Sequence, residues 1–180
     1  MKKFFLSLLG LALAVSALGC GQKKPDGMPD LEQVALTVIQ DGKPLEGATV
    51  NLKSTDPGNK WTSGGTTDAN GVANLVTHGQ YKGVPVGKYK VAVSKTVGEG
   101  TPPPPSPIDE ESARKYKEYI DSGATYEEFS VVDSKLGIVE TTTLEIEVVK
   151  GKNDLSVDVG PAVREKLNTG HGASGVGTGI

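Results

Sequence analysis

Gly42-Lys-Pro-Leu-Glu-Gly-Ala-Thr-Val-Asn-Leu52, Gly65-Thr-Thr-Asp-Ala-Asn-Gly-Val-Ala-Asn-Leu75 and Val86-Gly-Lys-Tyr-Lys-Val-Ala-Val93 decide how this 180-residue chain is read. Each is a short alternating run bounded by Gly, Pro, Asp or Asn. Alternation with period two gives an extended strand one apolar face, and the bounding residues suit tight turns. Ala48, Val50 and Leu52 predict an inward face, with Thr49 and Asn51 outward. Tyr89, Val91 and Val93 likewise alternate with Lys88, Lys90 and Ala92. Asp68-Ala69-Asn70-Gly71 predicts a hairpin turn, because Asp and Asn side chains accept hydrogen bonds from nearby amides and tolerate left-handed backbone. Calcium would need further carboxylates at regular spacing, and Val72, Ala73 and Leu75 cannot supply them.

Working outward, Val34, Leu36 and Val38 alternate with Ala35, Thr37 and Ile39, and Asp41-Gly42 supplies the next turn. Asp56-Pro57-Gly58-Asn59 is another turn, followed by Trp61. Trp61 is expected to cap one end of the core; the alternative is a surface aromatic for stacking on sugar. Downstream, Leu144, Ile146 and Val148 alternate with Thr143, Glu145 and Glu147. Gly151 to Asp154 turns the chain into a last strand with Leu155, Val157 and Val159. About seven strands result, enough for two packed sheets. Long apolar helical segments for parallel crossovers are lacking. The expected fold class is all-β, an antiparallel Ig-like or transthyretin-like β-sandwich over residues 33–160, with a short helical insertion at 97–130.

In that insertion, Thr101-Pro-Pro-Pro-Pro-Ser-Pro107 predicts a stiff polyproline spacer. Asp109 is placed to cap a helix begun by Glu110 and Glu111 and ended by Gly123. Ala113, Tyr116, Tyr119 and Ile120 fall on one side of it. Such a stripe reads first as packing and second as a binding face. Ser130 to Glu140 carries no clear period.

Lys2 and Lys3, an uncharged apolar run from Phe4 to Ala17, and Leu18-Gly19-Cys20 have the form of a secretory signal at residues 1–19. The run is short for a membrane-spanning helix. Cys20, the single cysteine, cannot form an intramolecular disulfide. The segment resembles a bacterial lipoprotein signal, which implies cleavage before Cys20 and acylation there; Ala17-Leu18 stand in the less usual order. Several buried acyl chains make a stable anchor where one is marginal. Residues 20–32 then read as lipidated Cys and flexible tether, and residues 161–180 as a disordered Gly-rich tail.

Hydrophobic residues make up 36% of the chain and Gly and Pro number 24 and 11, so part of it is not expected to pack. Removing residues 1–19 takes two of the 19 basic residues and none of the 22 acidic ones, leaving a net charge of −5. That balance gives no electrostatic case for nucleic acid.

The order Gly-x-Pro-x-x-Gly-Ala-x-Val, Thr-Asp-x-x-Gly-x-Ala-x-Leu, Val-x-Gly-x-Tyr-x-Val resembles carboxypeptidase regulatory-like domains. These group with transthyretin-like (prealbumin-like) and Cna-B-type sandwiches, and the chain is most similar to small lipoproteins of this type in planctomycete-like bacteria. The resemblance runs from about Val34 to Val159, continuing in Leu144-x-Ile-x-Val and Lys150-Gly-Lys-Asn-Asp-Leu-x-Val-Asp. It rests on strands and turns, which specify fold and hardly any chemistry. Transthyretin-like hydroxyisourate hydrolases end in Tyr-Arg-Gly-Ser and set histidines in strands; this chain ends Gly177-Thr-Gly-Ile180. The Cna-B-type resemblance raises an isopeptide crosslink, for which Lys53 and Asn153 are the possible partners.

No catalytic set, cofactor or metal site is expected. His78 and His171 are the only histidines and lie far apart, and no second Cys supports zinc. Gly170-His-Gly-Ala-Ser-Gly175 matches GxGxxG but lacks the strand and helix that make that pattern a phosphate site. The expected protein is a lipid-anchored, extracytoplasmic, non-catalytic binding or structural module of the cell envelope, at the outer membrane or cell surface. Trp61, Tyr81, Tyr116, Tyr119 and the Asp68 to Gly71 turn are its candidate contacts, with polysaccharide or protein as ligand. The alternatives are a spacer or assembly partner for another membrane protein and, further off, a transthyretin-like hydrolase.

Overall fold

The structure, a computed structural model, describes residues 24–167. The predicted signal, Cys20 and His171 lie outside the described residues. The chain runs through β1 (Leu31–Glu32), β2 (Val34–Gln40), β3 (Lys43–Pro44), β4 (Thr49–Ser54), β5 (Ser63–Thr66), β6 (Val72–Asn74) and β7 (Val76–Thr77). It continues as β8 (Tyr81–Lys82), β9 (Val84–Pro85), β10 (Gly87–Ser94) and β11 (Thr96–Gly100), then helix α1 (Glu110–Asp121). β12 (Tyr126–Ser130), a 3-10 turn at Ser134–Gly137, β13 (Glu145–Val148), β14 (Asn153–Asp158) and β15 (Glu165–Lys166) complete it.

The elements form an all-β sandwich with one short helix. One sheet has the order β13-β10-β4-β5-β7-β8; in the other, β2 lies between β14 on one side and β3 and β6 on the other. The predicted inward residues face each other between them. Leu36, Val38, Val50, Tyr89, Val91, Val93 and Val148 have no exposed surface. Burying a side chain of this size contributes roughly 1.5–3 kcal/mol. β2, β4, the β6–β7 run, β10, β13 and β14 correspond to the strands named from the sequence.

Four expectations need correction. Val72 to Val76 is not one strand in one sheet: β6 pairs with β2, and β7 pairs with β5. The chain changes sheets at Leu75, whose amide donates to Val34 O at 3.0 Å and whose carbonyl accepts from Gly83 N at 3.0 Å. The sandwich is antiparallel except between β14 and β2, which run parallel with Leu155 opposite Leu36. These are the last and first long strands, so nearly the whole domain supplies the connection that a parallel pair needs, and no crossover helix is required. The tether does not stay free up to residue 32: Leu31 and Glu32 pair with Pro85 and Val84. The tail does not begin at 161: Glu165 and Lys166 pair with Ser130 and Phe129 of β12, which leaves 168–180 outside the described residues.

The insertion is an arm. β11 continues from β10 after the single residue Lys95 and pairs with β12 from Thr96↔Ser130 to Gly100↔Tyr126. The Pro-rich segment and α1 lie between these two strands. Arg164 braces the ribbon along its length, with Nη1 at 2.5 Å and Nη2 at 2.8 Å from the Glu99 carboxylate near its far end and the guanidinium 3.9 Å from the Phe129 ring centre near its base. The Arg164 hydrogen bonds hold the Glu99 carboxyl below its usual range.

The glycine of the Asp68–Gly71 turn is under two constraints at once. Its φ is +72°, and a Cβ there would stand 2.8 Å from Pro44 Cβ and 2.9 Å from both Leu45 N and Val38 O. Gly42, in the Asp41-Gly42 turn, has φ +71° with open space around it. Gly42→Ala is expected to cost about 1 kcal/mol for its left-handed backbone. Gly71→Ala should cost at least about 2 kcal/mol more, because backbone must also move. Urea denaturation of both variants checks this, and equal losses would contradict the packing account.

Candidate functional site

The backbone register divides the sandwich into two poles. Tyr89 pairs with Ser54 at one end of β10, and Ser94 pairs with Thr49 at the other. At the first pole lie β1 and β9, where the chain enters from its amino-terminal side. At the second pole β10 passes into the arm. Asp41 and Gly160 meet there through the Asp41 N to Gly160 O bond of 3.2 Å, and Gln40 Nε2 donates to Val131 O at 2.7 Å. Eight residues of β10 at ~3.3 Å each separate the poles by roughly 25 Å.

Trp61 sits at the entry pole and is 9% exposed, so it is no open platform for a sugar ring. Its indole lies against the His78 imidazole at 4.9 Å between centres and 45° between planes, with Lys60 Nζ 5.4 Å from the ring. Trp61 shares a hollow of about 430 Å³ with Gly27, Pro29, Asp30, Asn59 and Pro85, so the predicted tether turns back over this end of the core. His78 occupies left-handed backbone at φ +51° and is followed by Gly79 at φ +72° in the turn between β7 and β8. The stack follows from that turn, and no spacing rule connects residue 61 to residue 78. Tyr81, on β8, is half-buried and pairs with Thr77 next to this turn. Trp61 and Tyr81 therefore share a pole.

Tyr89 closes the entry pole from inside. Its hydroxyl donates to Pro85 O at 2.7 Å and accepts from Asn59 Nδ2 at 3.2 Å. The side chain thus joins the turn before its own strand to the Asp56–Asn59 turn. A buried Tyr that bonds backbone a few residues upstream is a recurring corner device of β-sandwiches. Burial pushes its hydroxyl above the ordinary range, with the Asn59 bond opposing.

Tyr116 and Tyr119 lie on α1 in the arm, far along the chain register from Trp61 and Tyr81, so the four aromatics form no common site. Asp109 and Ser112 make the reciprocal cap: Ser112 N donates to Asp109 Oδ1 at 2.8 Å and Asp109 N to Ser112 Oγ at 3.0 Å. No residue of α1 is buried. The expected packing of the Ala113/Tyr116/Tyr119/Ile120 stripe is met in part: Tyr116 and Tyr119 are half-buried, whereas Ala113 is exposed and Ile120 is 58% exposed. The Tyr119 hydroxyl reaches Thr101 O at 3.0 Å, within the arm itself. The Asp68–Gly71 turn lies at the arm pole. It is not the hairpin turn expected, because β5 pairs with β4 and β7 while β6 pairs with β2, so the turn carries the chain from one sheet to the other. Its Asp68 Oδ1 is taken by Asn70 N at 2.9 Å and Val72 N at 3.0 Å, as a structural turn requires.

Lys53 and Asn153 are not poised for a crosslink. Lys53 Nζ pairs with Glu140 at 3.3 Å on an exposed face. The buried Asn153 amide donates to Val149 O and Gly151 O at 2.9 Å each, while its Oδ1 accepts from Val149 N. Among the described residues no cluster of His, Cys, Asp and Glu has the form of a metal site.

No family model matches the chain, and no curated protein does. Two solved structures share part of its course. The major pilin subunit of Bacillus cereus is 15% identical over 73% of this chain and 30% of that one, at a TM-score of 0.35. A 9R-lipoxygenase from Cyanothece is 14% identical over 76% of this chain and 18% of that one, at 0.30. The chain spans less than a third of either. Likeness at this level decides nothing about this chain.

Tyr89 gives a pH prediction. Tyrosine in the unfolded chain ionises near pH 10, and the buried group holds its proton to higher pH. Its contribution is therefore fully present below about pH 10 and is lost as pH rises through the folded value. Tyr89→Phe should cost about 1 kcal/mol at neutral pH. It should also flatten the alkaline fall in stability relative to wild type. Urea melts from pH 8 to 11, in steps of about 0.5, check both effects.

Proposed function

We propose that this protein is a lipid-anchored, extracytoplasmic, non-catalytic module of the cell envelope that presents its arm to a protein ligand. The observation that carries the reading is the two-pole layout. The chain enters at the pole of Trp61 and Pro85, and the arm leaves from the opposite end of β10. With the anchor at Cys20, the sandwich acts as a rigid spacer that places the arm on the side away from the lipid.

Burial of Trp61 favours a protein over a polysaccharide ligand, because stacking on sugar needs an open ring face and this one is held by His78. The apolar side chains left open on the arm, Ile108 and Ile120, point the same way, since uncovered apolar surface suits a protein partner. A passive spacer for another membrane protein is the second reading, favoured by the rigid sandwich alone. A hydrolase gains no support from the geometry, since His78 is stacked on Trp61 in a turn.

Cys20→Ser should move the protein from the membrane fraction to the soluble fraction while its melting temperature stays unchanged. Fractionation by ultracentrifugation reads the first and circular dichroism the second. A Cys20→Ser variant that remains with membranes would overturn the lipid anchor.

A further inference from the structure

We infer that the proline run Pro102 to Pro107 is a docking ridge for a partner protein whose groove is lined by Trp and Tyr side chains. This rests on the reading of the arm as the presented element and names the part of it that is recognised. The ring of proline fixes φ at about −65°, and a residue that precedes proline is held to extended or polyproline II backbone. Thr101, Pro102, Pro103, Pro104 and Ser106 each precede a proline, and Pro105 has its own ring. The run is thereby held to a polyproline II course with three residues per turn. At that period Pro102, Pro105 and Ile108 fall on one side. All three are exposed, Ile108 at 91%. Ser106 and Pro107 are exposed as well, while Pro103 and Pro104, off that side, are half-buried.

The run is fastened at both ends. Thr101 N donates to Thr125 O at 3.0 Å, and the Tyr119 hydroxyl donates to Thr101 O at 3.0 Å. Ile108 N and Asp109 N each donate to Ser112 Oγ at 3.0 Å. Between these points Pro102–Pro107 has a single amide N–H, that of Ser106. Among the described residues, none of the carbonyls from Pro102 to Pro107 accepts a hydrogen bond. A segment whose shape is set beforehand loses little conformational freedom when it binds.

These properties select the occupant. An added β-strand needs alternating N–H and C=O groups, which a run with one N–H does not offer. A bilayer core has no donors, and open carbonyls are costly there. Nucleic acid needs cations, and Thr101 to Ile108 carries no charged side chain. Stacking on sugar needs an aromatic ring, and the run contains none. What the run does offer is apolar proline rings and open carbonyls in fixed alternation. Trp and Tyr meet both, since their flat rings pack on proline while the indole N–H or phenol O–H donates to a carbonyl. Aromatic-lined grooves take up Pro-rich segments in this mode.

The test uses the full lipidated chain in its own membranes. p-Benzoylphenylalanine is placed at Ile108 on the ridge, at Ile120 on α1 or, as control, at Val86 on the entry pole. Irradiation should give one discrete protein adduct from Ile108 and none from Val86, and the crosslinked stretch of the captured protein should contain Trp or Tyr. Purified, that protein should bind the detergent-solubilised wild-type chain and lose at least about tenfold in affinity for Pro102→Ala/Pro105→Ala. Ser106→Ala should bind within about twofold of wild type, and both variants should melt with wild type. Because the ridge is uncharged, affinity should change less than about threefold between about 0.1 M and 1 M salt. No protein adduct from Ile108, a crosslinked stretch without aromatics, full affinity of Pro102→Ala/Pro105→Ala, or binding abolished by salt would each overturn the inference. An adduct from Ile120 with none from Ile108 removes the ridge but keeps the arm as the presented element, and no adduct from either removes both. A wild-type protein found soluble on fractionation removes the anchor, while an aromatic-site adduct from Ile108 still supports the ridge.

Discussion

A chain that passes back and forth between two sheets must not leave backbone polar groups unpaired in the core, and this constraint shapes the domain. The stretch from Gln40 to Thr77 passes between the sheets more than once, and each passage carries amides and carbonyls through apolar surroundings. An unpaired buried group would cost about 1–3 kcal/mol. The buried Thr67 hydroxyl removes two of these liabilities by donating to Leu45 O at 2.6 Å and accepting from Ala48 N at 2.8 Å. Gly71 removes others: its carbonyl accepts from Val38 N at 2.8 Å, and the space left by its missing side chain lets Leu45 N reach Val38 O at 2.9 Å. Among the described residues no buried side-chain nitrogen or oxygen lacks a partner. The Gly-x-Pro-x-x-Gly-Ala and Thr-Asp-x-x-Gly segments therefore meet in one knot and act as a unit.

That knot closes the arm pole, and Tyr89 closes the other. Between them β10 is paired along both edges, by β4 and β13. Its inner face is wholly buried, and even outward-facing Ala92 is only 2% exposed. Thr142 Oγ1 donates to Val91 O at 2.7 Å and fastens the chain before β13 to the strand. A strand held this completely has little freedom to bend. The ribbon that continues from it inherits a fixed direction, and Arg164 and Lys166 brace that direction through Glu99, Phe129 and Glu127. The arm is positioned by the best-buried element of the fold.

The strands were legible because one-sided burial writes period two into the sequence. Ala48/Val50/Leu52, Tyr89/Val91/Val93 and Ile146/Val148 reveal their buried face through alternation alone. The helix ends were legible too, since Asp109 and Gly123 act within a few residues of their own position. Three other features depend on partners distant in sequence: the split of Val72–Thr77 between sheets, the parallel β14–β2 pair and the pairing of β15 with the arm. Local pattern holds no record of such partners. Trp61 shows the same limit at the candidate site. Its identity allows both a cap on the core and a sugar platform; it is buried, as a cap is, by His78 and the returning tether, which only the fold brings near. Tyr116 and Tyr119 carried the reverse ambiguity, because an apolar stripe looks the same whether covered or bare.

The half-covered stripe of α1 raises an energetic question of its own. A 12-residue helix is marginal alone in water, and most helices in proteins are stabilised by packing one face. α1 has only part of that contribution, from half-buried Tyr116 and Tyr119, so much of its order rests on local terms: the Asp109–Ser112 cap at about 1 kcal/mol and three i,i+4 pairs at about 0.2–0.5 kcal/mol each. These are together small against the cost of ordering its backbone. The arm tip therefore belongs to the least stable part of the molecule while its base belongs to the most stable. An element with a firm base and a tip short of packing gains most when a partner covers it, because covering Ile120 and the open parts of Tyr116 and Tyr119 adds to packing that the arm itself supplies only in part.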